Sequence, residues 1–174
     1  PIPVFKEMGK LGLMGVLVPE EYGGAGLTYF EYKTVIEEIS KVCGSIGLSL
    51  AAHNSLCTGH ILAFATAEQK KKYLPKLASG EWLGCFGLTE PNHGSDPSSM
   101  LSNFKDAGDH VILNGAKMWI SNAPFAQVAV VWAKDEAGEI RGVIVERGME
   151  GFSTPTTHGK WSLRASATGE LVFD

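Results

Sequence analysis

Leu83–Asp96, LGCFGLTEPNHGSD, is the stretch on which the reading of this chain turns. Leu83 to Leu88 is apolar and β-prone, and Thr89 to Asp96 is a cluster of turn formers and hydrogen-bonding groups. A strand that stops abruptly in such a loop is a natural ligand holder. Gly94 has no Cβ, so it tolerates positive φ and lets backbone N–H groups approach an anion, and Thr89 and Ser95 place hydroxyls on either side. Alone, the loop reads equally well as an ordinary surface turn. A second stretch shifts the balance: in Lys117–Asn122, KMWISN, the large aromatic Trp119 stands two residues from the Ser121 hydroxyl on one strand face.

Downstream of Leu83 the apolar period is alternating, and upstream it is helical, so the domain boundary is placed there: 1–82 helical, 83–174 β. The expected strands are Leu83–Leu88, Ser102–Ala107, His110–Ser121, Gln127–Lys134, Ile140–Glu146 and Gly169–Phe173. Gly108, Asp109, Asp135 and Gly138 fall in the turns. Short strands in succession without helices between them imply antiparallel pairing and a small barrel or sandwich. The fold class is therefore α+β, an N-terminal helical domain followed by an antiparallel β-barrel. Within 1–82, Val4–Leu13 ends a helix, and Pro19 with Gly23, Gly24 and Gly26 makes a structural loop. Thr28 with Glu31, and Thr66 with Gln69, are capping boxes opening two further helices. Between them Ser45–Ala65 has the composition of one helix buried on several sides, and Pro75 sits awkwardly inside the last helix.

With 174 residues, 44% hydrophobic and 20% charged, the chain can bury a real core and is not a disordered polymer. No uncharged apolar run approaches the ~20 residues that span a bilayer, so no membrane span is expected. A net charge of −4 argues against nucleic acid. Cys43, Cys57 and Cys85 form no CxxC pair, which suggests neither a disulfide framework nor a zinc site. His53 and His60 share a helix face but lack a third ligand, so no metal is expected. The chain opens at Pro1 without a leader and closes on a strand-like run, and both ends are expected to have been cut from a longer protein.

FGLTEPNHGSD together with NGAKMWISNAP resembles the acyl-CoA dehydrogenase family, which binds FAD through a T/S-E-P-x-x-G-S-D loop and a following W-I-T/S-N strand. LGLMGVLVPEEYGGAGL, EQKKKYLPKLASGE and GKWSLRASATGELVFD extend the likeness over nearly the whole chain. The resemblance implies α,β-dehydrogenation of an acyl-CoA thioester, with FAD as cofactor and electron-transfer flavoprotein as electron acceptor. It also implies a homotetramer, or at least a homo-oligomer, in the mitochondrial matrix of a eukaryote or the cytoplasm of a bacterium. It places Phe86, Leu88, Thr89, Gly94 and Ser95 along the cofactor, with Ser95 near the CoA arm of the substrate as well. Trp119, Ile120 and Ser121 fall on the flavin strand, Ser121 donating to flavin N5. Glu90 is not the base and reads as a solvent-facing carboxylate positioned by Pro91; the family's catalytic glutamate lies in a C-terminal helical domain, here beyond Asp174, so no catalytic residue is named. An acyl-CoA oxidase and a flavin-free interaction module are the alternatives.

On substrate the likeness is mixed. The N-terminal half is closer to isovaleryl- and short-chain enzymes, the C-terminal half to glutaryl-CoA dehydrogenases. Charge favours a short or branched acyl group, because a buried distal carboxylate needs a cation. Glutaryl enzymes supply an arginine where this chain has Gly47, and Cys43 to Ala67 holds no Arg or Lys. Arg164 is the alternative cation.

Overall fold

A computed structural model describes residues 1–174. The first helix, α1 (Ile2–Lys10), turns Phe5 and Met8 inward and gives way to a tight turn at Leu13–Gly15. In the loop that follows, a Cβ on Gly24 would lie 2.0 Å from the Val18 carbonyl oxygen, so the close approach of two backbone segments requires glycine there. Helix α2 (Tyr29–Val42) starts on the expected box, in which Phe30 N–H donates to Thr28 Oγ1 (3.2 Å) and Thr28 N–H to Glu31 Oε2 (2.9 Å). Helix α5 (Ala67–Ala78) starts the same way from Thr66 and Gln69, and runs through Pro75 to its end. No helix is long and apolar enough to cross a membrane.

Between α2 and α5 the single buried helix expected over 45–65 is interrupted. It forms as α3 (Gly44–Ala51), a π-helical turn (Ala52–Thr58) and α4 (Gly59–Phe64). A wide turn rotates the side chains that follow it. His53, fully buried, holds three backbone segments together: Nε2–H donates to the Met14 and Leu77 carbonyls (3.0 and 3.1 Å) and Nδ1 accepts from Gly84 N–H (3.0 Å). Asn54 beside it accepts from Val16 N–H and donates to the Leu13 carbonyl. His60 turns elsewhere, its ring 5.0 Å from that of Phe86 and 5.7 Å from that of Trp132.

The second half is one curled seven-stranded sheet in the order β1-β4-β2-β3-β7-β6, with β5 on the other edge of β4. The strands are β1 (Gly84–Gly87), β2 (Asn103–Asp106), β3 (Val111–Ser121), β4 (Val128–Lys134), β5 (Ile140–Glu146), β6 (Phe152–Ser153) and β7 (Thr168–Phe173). Pairing is antiparallel for β2·β3, β3·β7, β4·β5 and β6·β7. It is parallel, against expectation, where β1 runs along Val128–Val131 of β4 and where Asn103 meets Lys134. The sheet is therefore mixed. The β2–β3 hairpin lies in sequence between β1 and β4 and serves as the crossover that a parallel pair needs. The two-residue β6 is too short to show a period.

Strand β4 separates two cores. Val128 and Val130 pack with Cys57, Ile61, Leu74 and Leu77 of the helices, while Ala129 and Val131 pack with Cys85, Ile120, Leu171 and Phe173 inside the curl. Burial on both faces is why its sequence, VAVVWA, is continuously apolar rather than alternating. Each of its buried valines stabilises the fold by about 1.5–3 kcal/mol.

Candidate functional site

The two stretches singled out in the sequence lie side by side. Beyond β1 the chain runs on beside β3, where Met118 N–H donates to the Thr89 carbonyl (2.8 Å) and Lys117 Nζ to the Leu88 carbonyl (3.2 Å). Strand β3 then bulges. Lys117 pairs with Leu171 and Ile120 with Gly169, so Met118 and Trp119 together oppose Glu170. Trp119 takes φ 62° and is 59% exposed. A bulky aromatic in the left-handed region costs on the order of 1–3 kcal/mol, and such strain clusters at ligand sites. Asn122, also left-handed at φ 70°, closes the strand by donating from Nδ2 to the Ser49 and Gly84 carbonyls (2.9 and 3.2 Å). It thus ties β3, β1 and α3 together.

The hydroxyls of Thr89 and Ser121 on this rim, and that of Ser95 in the loop beyond it, make no hydrogen bond within the chain, whereas those of Ser49, Ser55, Ser166 and Thr168 nearby or behind it all do. Leu88, Thr89 and Ser121 are half-buried, and Gly94 and Ser95 are exposed. Gly94 does not use positive φ; its service is space, since a Cβ there would meet nothing within 4 Å. Two of the named residues present only main chain to this surface. Ile120 is buried in the barrel core, and the Phe86 ring is turned into the cluster with His60 and Trp132. Open hydroxyls, free backbone and an exposed, strained tryptophan are a fit surface for a planar, polar-edged cofactor.

Glu90 corrects the sequence reading. It is buried, not solvent-facing, and its carboxylate accepts from Leu101 N–H (2.7 Å), Ser102 N–H (2.9 Å) and Lys117 Nζ (2.8 Å). Burial pushes its pKa up, but the Leu101 amide, the Lys117 ammonium and the Ser102 contacts outweigh it and hold the carboxyl down at about 2. Buried, held by three donors and with its pKa at about 2, this carboxylate is a poor acceptor for a substrate proton. Lys117 is fully buried as well, its own pKa lowered by that burial and pulled back up by Glu90. Neither partner's role was read from the sequence. The available signal was parity: Lys117 stands on the same strand face as the inward Leu113, where a lone lysine demands an acid.

The 157–168 segment lies on α3. Lys160 Nζ gathers it by donating to the Leu163 and Ser166 carbonyls and Thr168 Oγ1, and Ser49 Oγ donates to Ser166 Oγ (2.9 Å). Arg164 is exposed there and forms no ion pair. Gly47 faces α2, where a Cβ would lie 2.0 Å from Ser40 Oγ.

Residues 1–81 match the family description "Acyl-CoA dehydrogenase, N-terminal domain" and residues 85–174 "Acyl-CoA dehydrogenase, middle domain". The mitochondrial isovaleryl-CoA dehydrogenase of Pongo abelii is 46% identical over 98% of this chain and 42% of its own length. A short-chain-specific acyl-CoA dehydrogenase of Clostridium acetobutylicum is 43% identical over 100% of this chain and 47% of its own. A glutaryl-CoA dehydrogenase from Mycobacterium smegmatis, solved in complex with FADH2, superposes with a TM-score of 0.95 at 40% identity, over 100% of this chain and 45% of that one. The chain thus spans less than half the length of the relatives it matches.

Proposed function

Because this chain belongs to the acyl-CoA dehydrogenase family, we propose that the protein it represents binds FAD and removes hydrogen from Cα and Cβ of a short or branched acyl-CoA. The observation that carries this is the direct junction of the Thr89 and Met118 backbones, which sets the open Thr89 and Ser121 hydroxyls and Trp119 on one rim. FAD, when bound, supplies a hydride acceptor. Ser121 would donate a hydrogen bond to the edge of the bound ring, a donor suited to charge that develops there in the transition state. Trp119 packs beside the ring, and Leu88, Thr89, Gly94 and Ser95 line the cofactor, with the backbones of Phe86 and Ile120 at its margins. Ser95 also serves the CoA arm.

In this reading 1–82 is the helical domain, 83–174 the barrel, and the catalytic base lies beyond Asp174, so these residues alone are inactive. Electron-transfer flavoprotein is the proposed acceptor, and the full protein a homo-oligomer in the mitochondrial matrix or bacterial cytoplasm. Gly47 supports the acyl preference, because a glycine supplies no cation where the glutaryl enzymes are expected to place an arginine. One observation favours glutaryl-CoA instead: Arg164, unpaired, sits on a segment packed against α3. Absorption of the full-length protein, with release of FAD on denaturation, tests the cofactor, and kcat/KM for butyryl-, isovaleryl- and glutaryl-CoA tests the substrate. A colourless protein overturns the first; preference for glutaryl-CoA with release of CO2 overturns the second.

A further inference from the structure

Pro91–Met100 leaves the sheet as an excursion with little core of its own. Pro91, Asn92, Gly94, Ser95 and Asp96 are exposed, and only Met100, at its end, is fully buried. Its internal order is local: the Asp96 carboxylate accepts from the Ser98 and Ser99 hydroxyls, which shapes the tip but does not locate it. What locates the excursion is its neck. One Glu90 oxygen accepts from Leu101 N–H and the other from Ser102 N–H, so a single carboxylate at the entry closes on the backbone at the exit. Glu90 and His93 also exchange backbone bonds of 3.1 and 3.2 Å.

Under the neck lies Lys117. Its Nζ donates to Glu90 Oε1 at 2.8 Å and to the Leu88 carbonyl at 3.2 Å, so it grips the entry on both sides of Thr89. Its stem packs on Gly87, where a Cβ would come within 3.2 Å of Lys117 Cγ. Lys117 is also the last residue of β3 in regular register before the bulge that carries Trp119. A buried ion pair adds little net stability over apolar residues of the same volume, and its best-attested use is to specify register. Apolar packing selects the inward face of a segment but tolerates small shifts along it; directional, charge-assisted hydrogen bonds to both segments fix their spacing more closely.

We propose that Glu90 and Lys117 are positioning residues, a clamp at the neck of the 91–100 loop that sets the spacing between the Thr89–Ser95 segment and the Trp119–Ser121 bulge. This rests on the proposed function insofar as those segments hold the cofactor. A displacement of about 1 Å in a reacting geometry can cost ~100-fold in rate, so the clamp acts on chemistry without touching it.

The test uses the full-length protein, Glu90→Gln and the apolar double variant Glu90→Leu/Lys117→Met. Two quantities are read: amide hydrogen exchange at Leu101 and Ser102, and the rate of anaerobic flavin reduction at saturating acyl-CoA, both well below the unfolding midpoint. The expected result is faster exchange at those amides in both variants. Reduction slows by about tenfold in Glu90→Gln and toward ~100-fold in the double variant, whose unfolding midpoint falls because the buried Ser102 N–H loses its acceptor. Unchanged exchange in Glu90→Gln overturns the clamp. Faster exchange with an unchanged reduction rate overturns the positioning role and leaves a structural pair. Should the double variant fail to fold, Glu90→Gln decides by the same two readings. An unsubstituted protein without FAD overturns the proposed function instead, and exchange at Leu101 and Ser102 still decides the clamp.

Discussion

The junction between helices and sheet and the rim above the bulge both carry many polar groups, and they treat them in opposite ways. At the junction His53, Asn54 and Asn122 are buried, and both ring nitrogens of His53, both amide atoms of Asn54 and the amide nitrogen of Asn122 have partners in other segments; Thr58 Oγ1 is the buried exception, with no partner. On the rim Thr89 and Ser121 hold open hydroxyls and Trp119 a strained backbone. A buried polar group left unpaired costs about 1–3 kcal/mol, so the pairing of His53, Asn54 and Asn122 contributes directly to folding. Openness on the rim costs little because water serves there, and those groups are free for a ligand. Glu90 and Lys117 lie between the two regions, saturated like the junction yet placed under the rim.

Four experiments press on that contrast, the largest effect first. Lys117→Ala should destabilise the protein by about 3–5 kcal/mol in urea denaturation, since it strips a buried carboxylate of its cation. A loss under ~1 kcal/mol would place the pair with the surface ion pairs such as Lys33–Glu37.

The second is a pH dependence. Burial lowers the His53 pKa from 6.5 to about 4, against its contacts with the Leu77 and Met14 carbonyls, so the folded protein holds it neutral. The unfolded chain binds the proton more readily, so stability is fully present above pH 6.5 and is lost as pH falls toward 4. Between pH 7 and pH 5 the expected loss is about 2 kcal/mol, in a range above the carboxylates' titration. Unfolding free energies at the two pH values check it, and His53→Gln should flatten the slope.

Third, Ser121→Ala should leave folding and substrate binding nearly unchanged but raise the barrier to flavin reduction by about 1–3 kcal/mol. An unchanged anaerobic reduction rate removes Ser121 from the site. The smallest effect is expected at Gly94→Ala: with φ outside the positive range and open space around the new methyl, stability should shift by no more than ~0.5 kcal/mol. If Gly94 serves as the place where backbone meets ligand, FAD affinity falls nevertheless, which titration with fluorescence detection would read.

Much of the fold was legible because its signals are short-ranged. Both capping boxes span three residues, and the turn chemistry at Gly108, Asp135 and Gly138 closes within a few more. The π-helical turn was not legible, since nothing in AHNSLCT itself forbids a regular helix; the wide turn is where His53 reaches Gly84, 31 residues away. The parallel β1·β4 pair was missed for a related reason: alternation reports which face of a strand is inward, not which direction its neighbour runs.

By itself, then, the sequence determined where α2 and α5 begin, where the period changes to β, and which two short stretches are proposed to face a ligand. All of these rest on interactions within one turn or one strand. Only the tertiary structure decided that Glu90 is buried, that Lys117 lies 27 residues along the chain yet at its carboxylate, and that the bulge at Trp119 falls beside Thr89. Burying a charge is affordable only where the fold brings its partner, and that meeting is a property of the packed chain, not of either residue's neighbours in sequence.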